Sequence, residues 1–226
     1  GYHTCTIDFL AKYWQKKEAK GEKDHTVLKS LIKAVDFSWY FMHPDGSYGG
    51  EYGSRNTYHF YPHGFELLVP HTEKAGQIAD AFLYSVDLDK RYHNDDDRMT
   101  AHYAYNFMQA WEDYHPDRPK LINESKNTSS QKWMPNAKIF VDWKCSKNGK
   151  IENYLISNQS KGGVLKIFDP KGCIASDTGL IGELTDGTVV VSHLVQLDSE
   201  FTENFENNSS TLQVEGDFCI RKPNGM

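Results

Sequence analysis

The hydrophobic period of this chain changes once along its length, and that change limits its fold more than any single motif. Up to about residue 115, apolar side chains recur at steps of three and four, the spacing of a helix with one buried face. Ile7, Leu10 and Trp14 mark a first helix, and Val27, Leu31, Val35, Trp39 and Met42 a second. Leu68, Thr72, Ala75, Ala79, Phe82 and Val86 mark a third, and Met99, Tyr103, Phe107 and Trp111 a fourth. Asp24 stands just ahead of the second stripe, where a carboxylate can accept the unpaired N–H groups of a first turn. From Ala137 onward the texture is short, β-branched and aromatic: KIFVDWKCS, IENYLISN, GVLKIFD, TVVVSHLVQL and STLQVEGDFCI. Asn148-Gly149, Gly162-Gly163, Pro170-Lys171-Gly172 and Asp186-Gly187 separate these runs as turns.

Helices first and strands afterwards describe two domains rather than one mixed sheet. The expected organisation is a helical domain over residues 1–118, a proline- and serine-rich linker over 119–136, and an antiparallel β-sandwich over 137–226. A chain of 226 residues is long enough for such a pair. Its net charge of -6 argues against a general nucleic-acid binder, because phosphate neutralisation needs clustered Lys and Arg. A local basic pocket for an acidic sugar stays open. No apolar run approaches the roughly 20 residues of a membrane-spanning helix. Cys5, Cys145, Cys173 and Cys219 are widely spaced and form no CxxC, so they read as plain core thiols. Asn123, Asn127, Asn158, Asn207 and Asn208 open NxS/T sequons, which matter only in a eukaryotic secretory pathway. The opening GYHTCTIDFL and the strand-like ending GDFCIRKPNGM suggest a piece of a longer protein.

The stretch PDGSYGGEYGSRNTYHFYPHGFELL, from Pro44 to Leu68, has no hydrophobic period. The connection it contains runs for roughly 20 residues, and loops of that length inside compact domains are often functional. Gly46, Gly49, Gly50 and Gly53 allow sharp turns and close approach to a ligand. Tyr48, Tyr52, Tyr58, Phe60 and Tyr61 offer flat apolar faces with polar tips, which suit sugar rings. Arg55 supplies a fork for a carboxylate or sulfate. The alternative is a loop packed on its own aromatics. His59, His63 and Glu66 have a metal-like spacing, but Pro62 fits the first turn of a helix and leaves His59 outside it, so no metal is expected. HNDDDR, residues 93–98, lacks the spaced ligands and glycine of a calcium loop. His193 falls in an apolar strand, and His43, His71 and His102 read as packing residues. GxSxG and GxxxxGK[ST] are absent.

A helical half, a β half and an aromatic loop after PDGS together resemble the heparinase II/III-like polysaccharide lyases. The family's DG…E…S…YH segment is matched in order, with longer spacing, by Asp45-Gly46, Glu51, Ser54 and Tyr58-His59. The resemblance implies an α/α toroid followed by an antiparallel β domain, secreted or periplasmic, acting on an acidic polysaccharide without a cofactor. Four helices are too few for a toroid of the usual size. The chain is therefore expected to be a fragment or a reduced relative, associating with further helices of a longer chain or with another subunit.

The implied reaction is β-elimination. A base removes the proton beside a uronate carboxylate, a cation or strong donor stabilises the enolate-like state, and an acid protonates the leaving oxygen. Arg55 or Asn56 is the expected donor, Tyr58 first and His59 second the proton-transfer groups, and Tyr48, Glu51, Tyr52 and His63 the substrate contacts. Two other readings remain: a non-catalytic carbohydrate-binding or exopolysaccharide-assembly protein, and a glycoside hydrolase using two carboxylates drawn from Asp45, Glu51 and Glu66.

Overall fold

A computed structural model describes residues 2–53, 57–90, 97–118, 126–192, 198–204, 209–215 and 217–220. The chain divides into two compact units. Gly1–Gly50, Thr57–Asn127 and Lys147–Lys150 form the first; Glu51–Asn56, Thr128–Ser146 and Ile151–Met226 form the second.

The first unit is helical, with α1 (Tyr2–Ala19), α2 (His25–Trp39), α3 (His63–Leu68), α4 (Glu73–Asp87) and α5 (Asp97–Glu112). α2 starts where its sequence says it should. The Asp24 carboxylate accepts the backbone N–H groups of Thr26 and Val27, both at 3.1 Å, a cap worth about 1 kcal/mol. At the other end the buried Lys126 ammonium donates to the carbonyls of Trp39 (3.1 Å) and Met42 (3.3 Å) and lies 4.3 Å from the Trp39 ring centre. A cation at the negative end of a helix, over an aromatic face, offsets part of the cost of its burial.

The third expected helix is two helices. Pro70 has no N–H to donate and interrupts the ladder. The chain turns there, with the N–H groups of His71 and Thr72 bonding back to the Leu68 carbonyl at 2.9 and 3.1 Å. The spacing Leu68, Thr72, Ala75 continues through this break, so periodicity alone does not show it. Pro62 sits immediately before α3 and leaves His59 outside the helix, as the proline predicts. α5 turns a different face inward than the stripe suggests: Asn106 and Ala110 are buried, whereas Trp111 is 83% exposed. The helix carries apolar residues on several faces, so its period does not select one.

The core of the helical unit is aromatic. Phe60 stacks on Phe65 and Phe82, each at 5.2 Å, and meets Tyr48 edge-on at 5.1 Å. Ile7, Leu31, Leu68 and Ile78 are buried in the same unit. Truncating a core aromatic such as Phe60 to alanine costs about 3–5 kcal/mol.

The second unit consists of antiparallel strands. β1 (Ser130–Met134), β2 (Ile139–Cys145), β3 (Ile151–Asn158), β4 (Val164–Asp169) and β5 (Gly172–Asp177) follow one another in a five-stranded meander. β6 (Ile181–Glu183), β7 (Val189–Val191) and β10 (Cys219–Ile220) make a three-stranded sheet, and β8 (Asp198–Asn204) pairs with β9 (Ser209–Glu215). β1 lies within the segment expected to be linker; residues 119–125 of that segment fall outside the described residues. Across the meander, Val141 and Trp143 pair with Ile156 and Tyr154, which pair in turn with Lys166 and Phe168. All six are buried. The lysine in this row places its ammonium 2.5 Å from a Glu51 carboxylate oxygen. Among the described residues no helix is long and apolar enough to cross a membrane.

Candidate functional site

Much of the glycine-rich stretch is interior. Residues 41–46 and 48–50 are buried. The Asp45 carboxylate accepts the Ser47 backbone N–H (3.0 Å) and hydroxyl (2.6 Å), and the Ser47 oxygen is 2.8 Å from His43 Nδ1. With the hydroxyl proton directed at Asp45, the His43 N–H donates to Ser47. Gly46 has φ +76, and a Cβ there would lie 2.3 Å from the Ala81 carbonyl oxygen. The DGS sequence therefore forms a turn packed against α4. Its serine lies between the histidine and the aspartate, which is not the order of a hydrolytic triad, where the histidine is central.

Glu51, Tyr52 and Gly53 belong to the β unit and are fastened within it. Lys161 donates to the carbonyls of Glu51 (2.6 Å) and Gly53 (2.8 Å), and Asn158 Nδ2 donates to the Tyr52 carbonyl at 2.6 Å. Tyr52 is buried, as is Tyr48 in the helical unit. Both rings, expected to contact substrate, are therefore interior in this structure, Tyr48 against Phe60. Arg55 and Asn56 lie outside the described residues, as do Ser54, His193 and most of HNDDDR.

His63, expected as a substrate contact, is also buried. Its Nδ1 is 3.0 Å from Asp8 of α1, and its Nε2 is 2.7 Å from Asp113, just past α5. The imidazole thus bridges α1 and the segment after α5, with one carboxylate against each ring nitrogen. Lys12 Nζ holds the second Asp8 oxygen at 2.7 Å. Burial alone would push the Asp8 carboxyl up, but hydrogen bonds from His63 and Lys12 outweigh it and hold it below the usual carboxylate range. Glu66 behaves in the opposite way. Burial raises it even though Arg118 binds it at 2.9 Å. Arg118 also reaches Asp80 at 3.3 Å and lies over the Tyr114 ring. His63 and Glu66 are thus committed to other side chains, and among the described residues no group of three His, Cys, Asp or Glu could hold a metal.

Proton-handling groups gather where the stretch meets α5. His59 Nδ1 is hydrogen-bonded to the Tyr103 hydroxyl, and both side chains are half-buried. Burial lowers the His59 imidazole below its ordinary value, which favours the neutral ring. The Tyr103 ring also meets Tyr61 at 5.6 Å. Burial, followed by nearby Cys5 and Asp8, raises the Tyr61 phenol and keeps it protonated. Tyr61 in turn lines an open cavity of about 630 Å³ between α1 and α5, together with Asp8, Phe9, Lys12, Tyr105 and Asn106. Tyr58 is half-buried and flanks His59 in the chain.

Compared with protein families, with curated proteins and with solved structures, the chain matches none. The site therefore has to be judged on its chemistry. Sequence reasoning placed His59 in it and missed Tyr103, Lys12, Asp8 and Asn106. One signal was present: Asp8 falls on the Thr4, Ile7, Ala11, Trp14 face of α1, and a carboxylate on a core stripe requires a partner.

Proposed function

We propose that this protein cleaves a uronic-acid-containing polysaccharide by β-elimination, as a fragment or reduced relative of the heparinase II/III-like lyases. In this reading the helices are part of an α/α toroid, the strands form a sandwich, and the protein is secreted or periplasmic, where such polymers occur. The observation that carries it is the His59–Tyr103 hydrogen bond beside the cavity that Tyr61 lines.

A neutral His59 accepts the Tyr103 proton as the phenolate oxygen takes the proton beside the substrate carboxylate. The electron pair left on carbon forms the new double bond, and the bond to the 4-linked oxygen breaks. Tyr61, held protonated, gives its proton to that oxygen. Tyr58 is the alternative base from the motif, and Arg55 or Asn56 the group proposed to neutralise the carboxylate. Asp45, Glu51 and Glu66 are each held by a different partner, which favours elimination over hydrolysis by paired carboxylates.

The test is incubation of the chain with uronate polymers while following the ultraviolet absorbance of the unsaturated product. Turnover by the wild type, reduced about 10²–10⁴-fold in Tyr103→Phe and in His59→Ala, is expected. If no uronate polymer yields that absorbance, the lyase reading fails. A second reading, non-catalytic carbohydrate binding, is favoured by the aromatic surface of α5, where Tyr105 and Trp111 are exposed. Glycan binding without turnover would establish it. Met108, 71% exposed, lies on the same helix, and Phe9 and Tyr13 are exposed on α1. These apolar side chains support association with further helices of a longer chain or with another subunit.

A further inference from the structure

We propose that the cavity between α1 and α5 is a subsite for one uncharged sugar ring of the polysaccharide, adjacent to the ring that is cleaved. The proposal rests on the glycan reading and adds the chemical class of a neighbouring residue of the polymer. The cavity, about 630 Å³, is large enough for a pyranose with its hydration. Its walls include Phe9 and Tyr105, whose rings are 65% and 61% exposed and converge on Lys12 Nζ at 5.7 and 5.4 Å. Flat aromatic surfaces of this kind pack against the C–H face of a sugar.

Polar groups complete the lining. Asn106 is buried and its Oδ1 accepts the His63 backbone N–H at 3.1 Å. Asn106 lines the cavity, and its amide nitrogen is a donor type that suits a hydroxyl. Lys12 supplies a second donor. The charge balance decides which ring fits. The Lys12 ammonium is matched by Asp8 at 2.7 Å, and behind Asp8 the His63 ring lies 2.7 Å from Asp113. The cation that lines the cavity is thereby compensated by a carboxylate in the same lining. A carboxylated ring would find no uncompensated cation and would meet the Asp8 carboxylate, whereas hydroxyls can bond to Lys12 and Asn106 at no electrostatic cost.

Matched probes separate these cases. The methyl glycosides of glucose, mannose and galactose differ from their methyl uronides only in carrying a CH₂OH in place of a carboxylate. Binding to the full chain is measured by saturation-transfer NMR and titration calorimetry at about pH 8. At least one neutral glycoside should bind, its uronide no more tightly, and Tyr105→Ala and Phe9→Ala should each weaken binding about tenfold. Both side chains are exposed, and circular dichroism checks that these variants fold. A uronide that binds tenfold more tightly than its glycoside, with salt weakening the preference, overturns the proposal. So does the absence of glycoside binding, or binding that neither substitution changes. Glycoside binding without any unsaturated product refutes the lyase reading and leaves the subsite standing. Product formation in which Tyr105→Ala changes neither KM nor glycoside binding refutes the subsite alone.

Discussion

Replacing Gly64 by alanine sets two physical effects against each other. In an isolated helix the substitution stabilises by up to about 1 kcal/mol, because glycine loses more backbone freedom on ordering. In this protein a Cβ at that position would lie 2.6 Å from Asp8 Cα, 2.7 Å from Asp8 N and 2.9 Å from Ile7 C. Carbon atoms pack best at about 3.5–4.0 Å, so roughly 1 Å of separation between α1 and α3 has to be found. All three obstructing atoms are backbone of a regular helix and cannot rotate away. Overpacking of this kind costs about 1–3 kcal/mol, and a rigid obstacle points to the upper end. The expected balance for Gly64→Ala is a net loss of about 2 kcal/mol. Moving α1 outward also lengthens the 3.0 Å contact between Asp8 and His63. Urea unfolding followed by far-ultraviolet circular dichroism measures the first effect, and imidazole NMR of His63 the second. A midpoint equal to or above that of the wild type would show that α1 and α3 do not approach this closely, and the argument for the His63 bridge would fall with it.

Lys126 gives a stability effect with a defined sign. Its folded-state value is well below the ordinary one because burial disfavours the ammonium, so the lysine costs folding free energy at pH below its unfolded-state value. Stability should therefore rise with pH from the folded-state value toward the unfolded one. Denaturation midpoints compared across alkaline pH should show this rise in the wild type and not in Lys126→Met; parallel curves would refute it. For the proposed elimination, kcat/KM should increase with pH through the lowered His59 value and level off before the ordinary histidine range ends, because the reaction needs the neutral imidazole. A plateau reached only above that range would exclude His59 as the proton acceptor. In the β unit, Lys161→Met removes both hydrogen bonds to Glu51 and Gly53. Hydrogen exchange at residues 51–53 should accelerate while the β3–β4 amides stay protected; unchanged exchange would mean the lysine does not hold this segment.

Features that depend on neighbours in the chain were legible in the sequence. The Asp24 cap, the Leu31, Val35, Trp39 face of α2 and the β3 strand follow from interactions within a few residues. Gly149 and Gly187 take φ +74 and +83 in the turns that Asn148-Gly149 and Asp186-Gly187 announce. The helix-then-strand order survived for the same reason. Pro70 marks the break between α3 and α4 locally, but the apolar period continues across it.

The site was less legible because its contacts are distant along the chain. His63 meets Asp8 across 55 positions and Asp113 across 50, and His59 meets Tyr103 across 44. Composition marks Tyr48, Tyr52 and His63 as suitable for a sugar, and nothing local distinguishes an aromatic that faces a ligand from one that faces Phe60. The sequence by itself determined which segments become helix or strand, since capping, turn chemistry and period act locally. Only the tertiary structure decided which side of α5 turns inward, which histidine is enclosed between carboxylates and which is left half-open beside a tyrosine. Burial and the desolvation of charge depend on atoms brought together from α1, α3 and α5.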